Sequence, residues 1–277
     1  MFQRKLLFVL IAVFAMVATV SCKKKDAAKS PLVADVASVT FPANVLAFGG
    51  VKSMDDFTST LTNLVGKFDE RTASMLGAQV PALMQSMLLG VKNLTWMDAK
   101  KPIRFAVLDY KQYQKPLVLV FPHKGQAEVI AALPDSKTEA APDNAFKYAA
   151  AGQNLFVNVA GDHVVFTMEE KAFAAAKPFV EGDLARYAFT EILDIQGSGT
   201  NLQKVASAEI ANLREQLNAS LQGSQDAALL PGVDKMAQSE IQAMMDALMQ
   251  IDVARLVLRF DGENATLRGS AKVAEGK

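Results

Sequence analysis

"NLFVNVAGDHVVFT", residues 154–167, decides the fold. Two short apolar arms, LFVNV and HVVFT, flank Ala160-Gly161-Asp162. Arms of this length joined by a Gly-Asp turn read as an antiparallel hairpin. Outward from it, Thr167 with Glu170 reads as a capping box for a short helix that Pro178 should end. Upstream, LVLVF (117–121) is a near-continuous apolar run, which fits a strand covered on both faces. Ile103, Phe105 and Val107 alternate in a strand before it. GQAEVIAAL (125–133) reads as a short helix between LVLVF and the hairpin.

The pattern extends in both directions. FPANVLAFGGV (41–51) reads as the first strand, with Gly49-Gly50 as a bulge or a close backbone approach. Ser53 with Asp56 caps a helix carrying Phe57, Leu61, Leu64 and Phe68 at helical spacing, and RTASMLGAQVPALMQSMLLG (71–90) reads as a second helix interrupted at Pro81. In the second half a strand is expected near 187–195. Thr200 with Gln203 should cap a long helix that ends at Gly223. Another helix spans 233–250, and a closing hairpin turns at Asp261-Gly262. The fold class is therefore α+β, mainly an antiparallel sheet covered by helices. Both halves, 41–182 and 183–277, follow the order strand, helix, helix, strand, strand. MDAKKPIRFAVLDY (97–110) echoes IDVARLVLRFDGE (251–263), with Asp98 and Asp252 at matching points and both read as turn residues. A duplicated unit with an incomplete second copy and a coincidence of common patterns both account for this.

The N-terminus carries a different signal. MFQRK precedes an apolar run of about 15 residues (6–20), then Ser21, the chain's single cysteine Cys22, and Lys23-Lys24-Lys25. A spanning helix needs roughly 20 apolar residues, so an uncleaved anchor is the weaker alternative. Thr19-Val20-Ser21-Cys22 resembles the bacterial lipoprotein signal at its last three positions, with Thr19 departing from the usual aliphatic residue. That resemblance implies removal of residues 1–21, a diacylglycerol on Cys22, and anchoring in a bacterial envelope membrane. Lys23 after the cysteine leans towards the outer membrane, facing the periplasm. Residues 22–40, with Pro31 and no helical period, read as a lipidated tether, and 41–277 as one domain.

The segments "FPANVLAFGGVKSMDDF", "MDAKKPIRFAVLDY", "KPLVLVFPHKGQAEVIAAL" and "NLFVNVAGDHVVFT" together resemble an uncharacterised family of exported bacterial proteins. The resemblance covers about 40–275 and implies a fold but no activity and no site residues.

Composition narrows the function further. The 29 basic and 29 acidic side chains of the 277-residue chain cancel, which leaves no basic field for nucleic acid. With no second cysteine, the domain has no internal disulfide and must fold on its core alone. The two histidines, His123 and His163, fall in no metal-ligand spacing. Gly197-Ser198-Gly199 lacks the spacing of a nucleophile elbow and reads as a loop. Ser21 with Lys24 is the S-x-x-K match, and it straddles the processing point. Asp55-Asp56, Asp69-Glu70 and Glu169-Glu170 each sit near a helix start, where the dipole favours negative charge. No catalytic, cofactor-binding or metal residue is assigned.

Methionine is the remaining signal. Met84, Met87, Met244, Met245 and Met249 sit on or beside the expected helices. Such side chains fill irregular core space, or line an adaptable apolar cleft. The expected function is a non-enzymatic binding or scaffolding role at the envelope, held to the membrane by lipid, with another envelope protein as partner. The alternative is a carrier or sensor of a lipid or apolar peptide in a Met-lined cleft. An envelope hydrolase is the least supported reading.

Overall fold

The computed structural model describes residues 39–67, 69–75, 90–134, 139–141, 145–150, 153–205, 249–260 and 265–273, with isolated positions 82, 207, 211, 212, 215, 219, 239 and 246. It bears out the α+β class. Among the described residues ten strands are hydrogen-bonded in the order β10-β9-β8-β1-β2-β3-β7-β6-β5-β4. They are β1 Val45–Val51, β2 Ile103–Leu108, β3 Leu117–Pro122, β4 Glu139–Ala141, β5 Ala145–Ala150, β6 Gln153–Ala160, β7 His163–Thr167, β8 Leu193–Ser198, β9 Ile251–Phe260 and β10 Ala265–Val273. Among the described residues the helices with complete bounds are α1 Met54–Gly66, α2 Gln126–Ala132 and α3 Glu170–Phe179.

The chain divides into two compact units. The larger comprises the described residues of 39–195 and 257–268; the other holds the described residues of 196–256 and 269–273. In the larger unit β1, β2, β3, β7, β6, β5 and β4 pair antiparallel in turn. The hairpin read from the sequence is β6–β7: Ala160 faces His163, and Gly161 takes φ +56° in the turn. A Cβ there would touch nothing within 4 Å, so the left-handed backbone rather than crowding calls for glycine.

Both faces of this sheet are covered, which explains the continuous apolar runs. One face carries Phe48, Val118, Val120 and Val165 under Phe173, Ala176 and Phe179 of α3. The other carries Phe121, Val164 and Phe166 under Trp96, Met97 and Val129 of α2. Adjacent residues of β3 therefore enter different cores, as strand alternation requires.

Local details follow the sequence in some places. Ser53 caps α1: its Oγ accepts from the Asp56 N–H at 2.9 Å and donates to Asp56 Oδ2 at 2.8 Å. Phe57, Leu61 and Leu64 of α1 are half-buried, and Phe68 lies outside the described residues. Gly49-Gly50 is a close approach, while the irregularity of β1 falls between Val45 and Ala47.

Four expectations are corrected. Thr167 does not cap α3, because it is still paired with Val118 and Phe156 in the sheet; Glu169 occupies the cap position without a side-chain bond. Pro178 does not end α3. The chain continues through Phe179 into a wider π turn, Val180–Leu184, where Val180 and Leu184 are buried. Burial of these side chains outweighs the hydrogen bond that proline cannot donate. The strand expected at 187–195 begins only at Leu193, because Tyr187 and Phe189 pack as an aromatic pair with centroids 4.7 Å apart. Asp252 lies within β9 rather than in a turn.

In the smaller unit residues 199–205 are helical. Ser198, not Thr200, serves this helix: its Oγ accepts from the Asn201 N–H at 3.1 Å. Thr200 Oγ1 donates to Asp252 Oδ1 at 3.0 Å, and Gln203 Nε2 donates to the Ile251 carbonyl at 3.4 Å. Much of the two helices expected over 200–222 and 233–250 lies outside the described residues.

Candidate functional site

Among the described residues of the larger unit, a cluster of polar side chains lies where β3 ends and β7 begins. Pro122 is paired with His163, so their side chains share one sheet face and His123 turns to the other. The two histidines, 40 residues apart in sequence, become neighbours along the sheet but are not aimed at a common point. His163 Nδ1 lies 3.4 Å from Asp162 Oδ1, beside a carboxylate that is largely exposed. Lys101 Nζ stands 3.5 Å from Asp162 Oδ2 and 3.9 Å from Asp98 Oδ2. Asp98 itself closes a turn by accepting from the Lys100 N–H at 3.2 Å. That agrees with its reading as a turn residue.

The electrostatics follow from burial and neighbours. Burial would raise the Asp162 carboxyl, but the His163 hydrogen bond and the charges of Lys101 and His163 more than offset it. The carboxyl is held below its ordinary range. His123 is the reverse case. It is only 7 % exposed, and both ring nitrogens are shut off from solvent without a hydrogen-bond partner among the described residues. Burial pushes its pKa down, with Asp162 opposing the shift and His163 and Lys101 adding to it. No group of three or more His, Cys, Asp or Glu among the described residues is placed to hold a metal ion.

The other candidate residues fall as follows. Cys22 lies outside the described residues, as do Met84, Met87, Met244 and Met245. Met249 is 42 % exposed. Met54 and Met97 fill the core beside Trp96. Ser198 is buried, and its hydroxyl serves the following helix. Asp55 and Asp56 stand in the first turn of α1, Glu170 in that of α3, and Asp69 Oδ1 accepts from the Arg71 N–H at 3.0 Å at the start of helical residues 70–75. A groove of about 710 Å³ runs beside Lys115, Met168, Glu169 and Lys171. Its Glu169 Oε2 accepts from the Lys115 N–H at 3.1 Å. Among the described residues no helix is long and apolar enough to cross a membrane.

Sequence reasoning passed over Asp162, Lys101 and Trp96. Asp162 next to His163 in a tight turn was a visible cue. Lys101 was not visible, since its place depends on how the 91–101 segment folds back. No protein-family model matches the chain, and no curated protein or solved structure matches it.

Proposed function

We propose that this chain is an exported bacterial lipoprotein, anchored through lipid on Cys22, with a non-enzymatic binding or scaffolding role at the cell envelope. The observation that carries the reading is the run 6–20 followed by Ser21-Cys22 and three lysines. Each buried methylene of an acyl chain is worth about 0.8 kcal/mol, and two or more chains hold a protein where one does not. Residues 23–38 separate Cys22 from Val39, the first described residue of the larger unit. As a coil they would average about 20–25 Å end to end, which keeps the folded part near its membrane. The outer membrane, facing the periplasm, is the proposed address. The resemblance of 40–275 to an uncharacterised exported family fits this reading and adds no activity.

The test is fractionation. Wild-type protein should partition with membranes and incorporate labelled palmitate. Cys22→Ser should lose the label and leave the membrane fraction; retention of both by the variant refutes the anchor.

A second reading, a carrier of a lipid or apolar peptide, draws on the exposed thioether of Met249 and on the neighbouring Met244 and Met245 in sequence. Native mass spectrometry of protein extracted in mild detergent tests it. A co-purifying lipid lost in Met244→Glu/Met249→Glu supports the carrier, and its absence from wild type counts against it.

A further inference from the structure

His123 sits at the centre of a main-chain clasp. On one side, the 94–101 segment holds the end of β3: the Asp98 N–H donates to the Pro122 carbonyl at 3.1 Å, and the Lys124 N–H donates to the Trp96 carbonyl at 2.9 Å. Met97 forms a β-bridge with His123 itself. On the other side, the His123 N–H donates to the Asp162 carbonyl at 3.1 Å. The clasp closes over Trp96, which is fully buried. Its ring lies 6.2 Å from Phe121 and 6.0 Å from Phe166, and its Nε1 donates to the Asn93 carbonyl at 2.9 Å.

The His123 side chain lies on this aromatic face, by alternation from Phe121. A neutral imidazole can stay there. An imidazolium would carry a charge sealed from water with neither ring nitrogen bonded, which is among the costlier things a core can hold. The charged and titratable groups around it are divided. Asp162 of the β6–β7 turn and Glu128 of α2 attract a positive charge; His163 of β7 and Lys101 of the segment before β2 repel it. Asp162 is already shared between His163 and Lys101. The adjacent Lys124 turns its ammonium to the Thr95 carbonyl at 2.8 Å, and so adds a further positive charge to the clasp.

We propose that the 91–101 segment is a pH-released clasp, closed over Trp96 while His123 is neutral and opened when His123 gains a proton. With the segment released, His123 meets water and takes up that proton at the ordinary histidine pKa of about 6.5. The closed clasp holds the pKa lower. The closed form is therefore fully favoured above about pH 6.5 and loses stability as pH falls through the window below it. Opening uncovers Trp96 and the Phe121 and Phe166 edges beneath it. The surrounding strands keep their own ladders.

Trp96 is the chain's single tryptophan, so its emission reports the clasp directly. The full chain in neutral detergent is titrated from about pH 7.5 to about pH 4.5, spanning the histidine range. The expected result is a red-shifted Trp96 emission with acrylamide quenching up roughly threefold or more, while far-UV circular dichroism holds steady, as local opening requires. His123→Leu and His123→Gln, neutral throughout, should abolish the transition, and His163→Gln should keep it. If one His123 variant fails to fold, the other decides. The proposal is overturned by flat wild-type emission, by a transition that persists in a folded His123 variant, or by far-UV signal lost in step with emission.

Discussion

A Cβ placed on Gly49 would stand 2.6 Å from the main-chain oxygen of Asp194 and 2.7 Å from the Phe105 ring. A ring edge can give way; a carbonyl held in the neighbouring strand cannot. Gly49→Ala should therefore destabilise by about 1–3 kcal/mol, the usual range for overpacking. Gly182→Ala is the matched control, since nothing lies within 4 Å of its Cβ position. In a helical setting that change should be neutral or stabilising by up to about 1 kcal/mol. Urea midpoints of the two variants should move in opposite directions or, at the least, differ clearly in size.

Phe48 is the hub of the core beneath α3. Its ring lies 5.3 Å from Phe41, 5.6 Å from Phe179 and 5.3 Å from Tyr187, and it is fully buried. Phe48→Ala should cost about 3–5 kcal/mol, enough to unfold much of a marginally stable population. Tyr187 Oη donates to Asp194 Oδ2 at 2.7 Å. Tyr187→Phe keeps the ring packing and loses that bond, so the expected loss is smaller, about 1–3 kcal/mol for a bond to a charged acceptor. Denaturant unfolding of both variants gives the ranking; equal losses would refute it.

The cap of α1 should show itself in pH dependence. The Ser53 hydroxyl and then Lys52 hold the Asp56 carboxyl below its ordinary value. A carboxyl depressed in the folded state contributes stability above its unfolded pKa of 3.8 and loses it as pH falls through the folded value. Asp56→Asn should thus be less stable than wild type at neutral pH, and the gap should close below that range. Ser53→Ala should cost about 1 kcal/mol at neutral pH by removing the acceptor for the Asp56 N–H. Thermal midpoints across the acid range test both, and they run in a lower window than the one expected for His123.

The fold was legible where local chemistry and burial agreed. The Gly161 turn, the apolar run of β3 and the Ser53 cap each depend on a few adjacent residues, and the Gly49-Gly50 pair itself signalled the close approach that distant strands then supply. The misread positions are those where tertiary contacts override a local rule. Thr167 is a good cap residue kept in the sheet by two partners. Pro178 is a helix stop overruled by burial of the residues after it. Tyr187 and Phe189 are good strand formers recruited into an aromatic pair. The polar cluster was less legible still. Neither His123 nor His163 sits in a motif, and the Pro122–His163 pairing is what reveals that they lie on opposite faces of the sheet.

Gly197-Ser198-Gly199 teaches a related lesson. A serine between glycines invites a catalytic reading, but the Ser198 hydroxyl is engaged with the Asn201 N–H. Its neighbour Gly199 has no room for a Cβ, which would meet the Ile251 carbonyl at 2.1 Å. Ser198→Ala should weaken residues 199–205 by about 1 kcal/mol through loss of the cap. Circular dichroism before and after the change measures it, and an unchanged helical signal and midpoint would refute the role.

Strand β3 has a further consequence. Because Val118 and Val120 belong to one core and Leu119 and Phe121 to the other, this segment has no outward side on which sequence drift can go unnoticed. In a saturation library most strands would show a two-residue rhythm of tolerated and rejected changes. Residues 118–121 should show an unbroken band of rejection, so that lineages could diversify around this strand but scarcely within it.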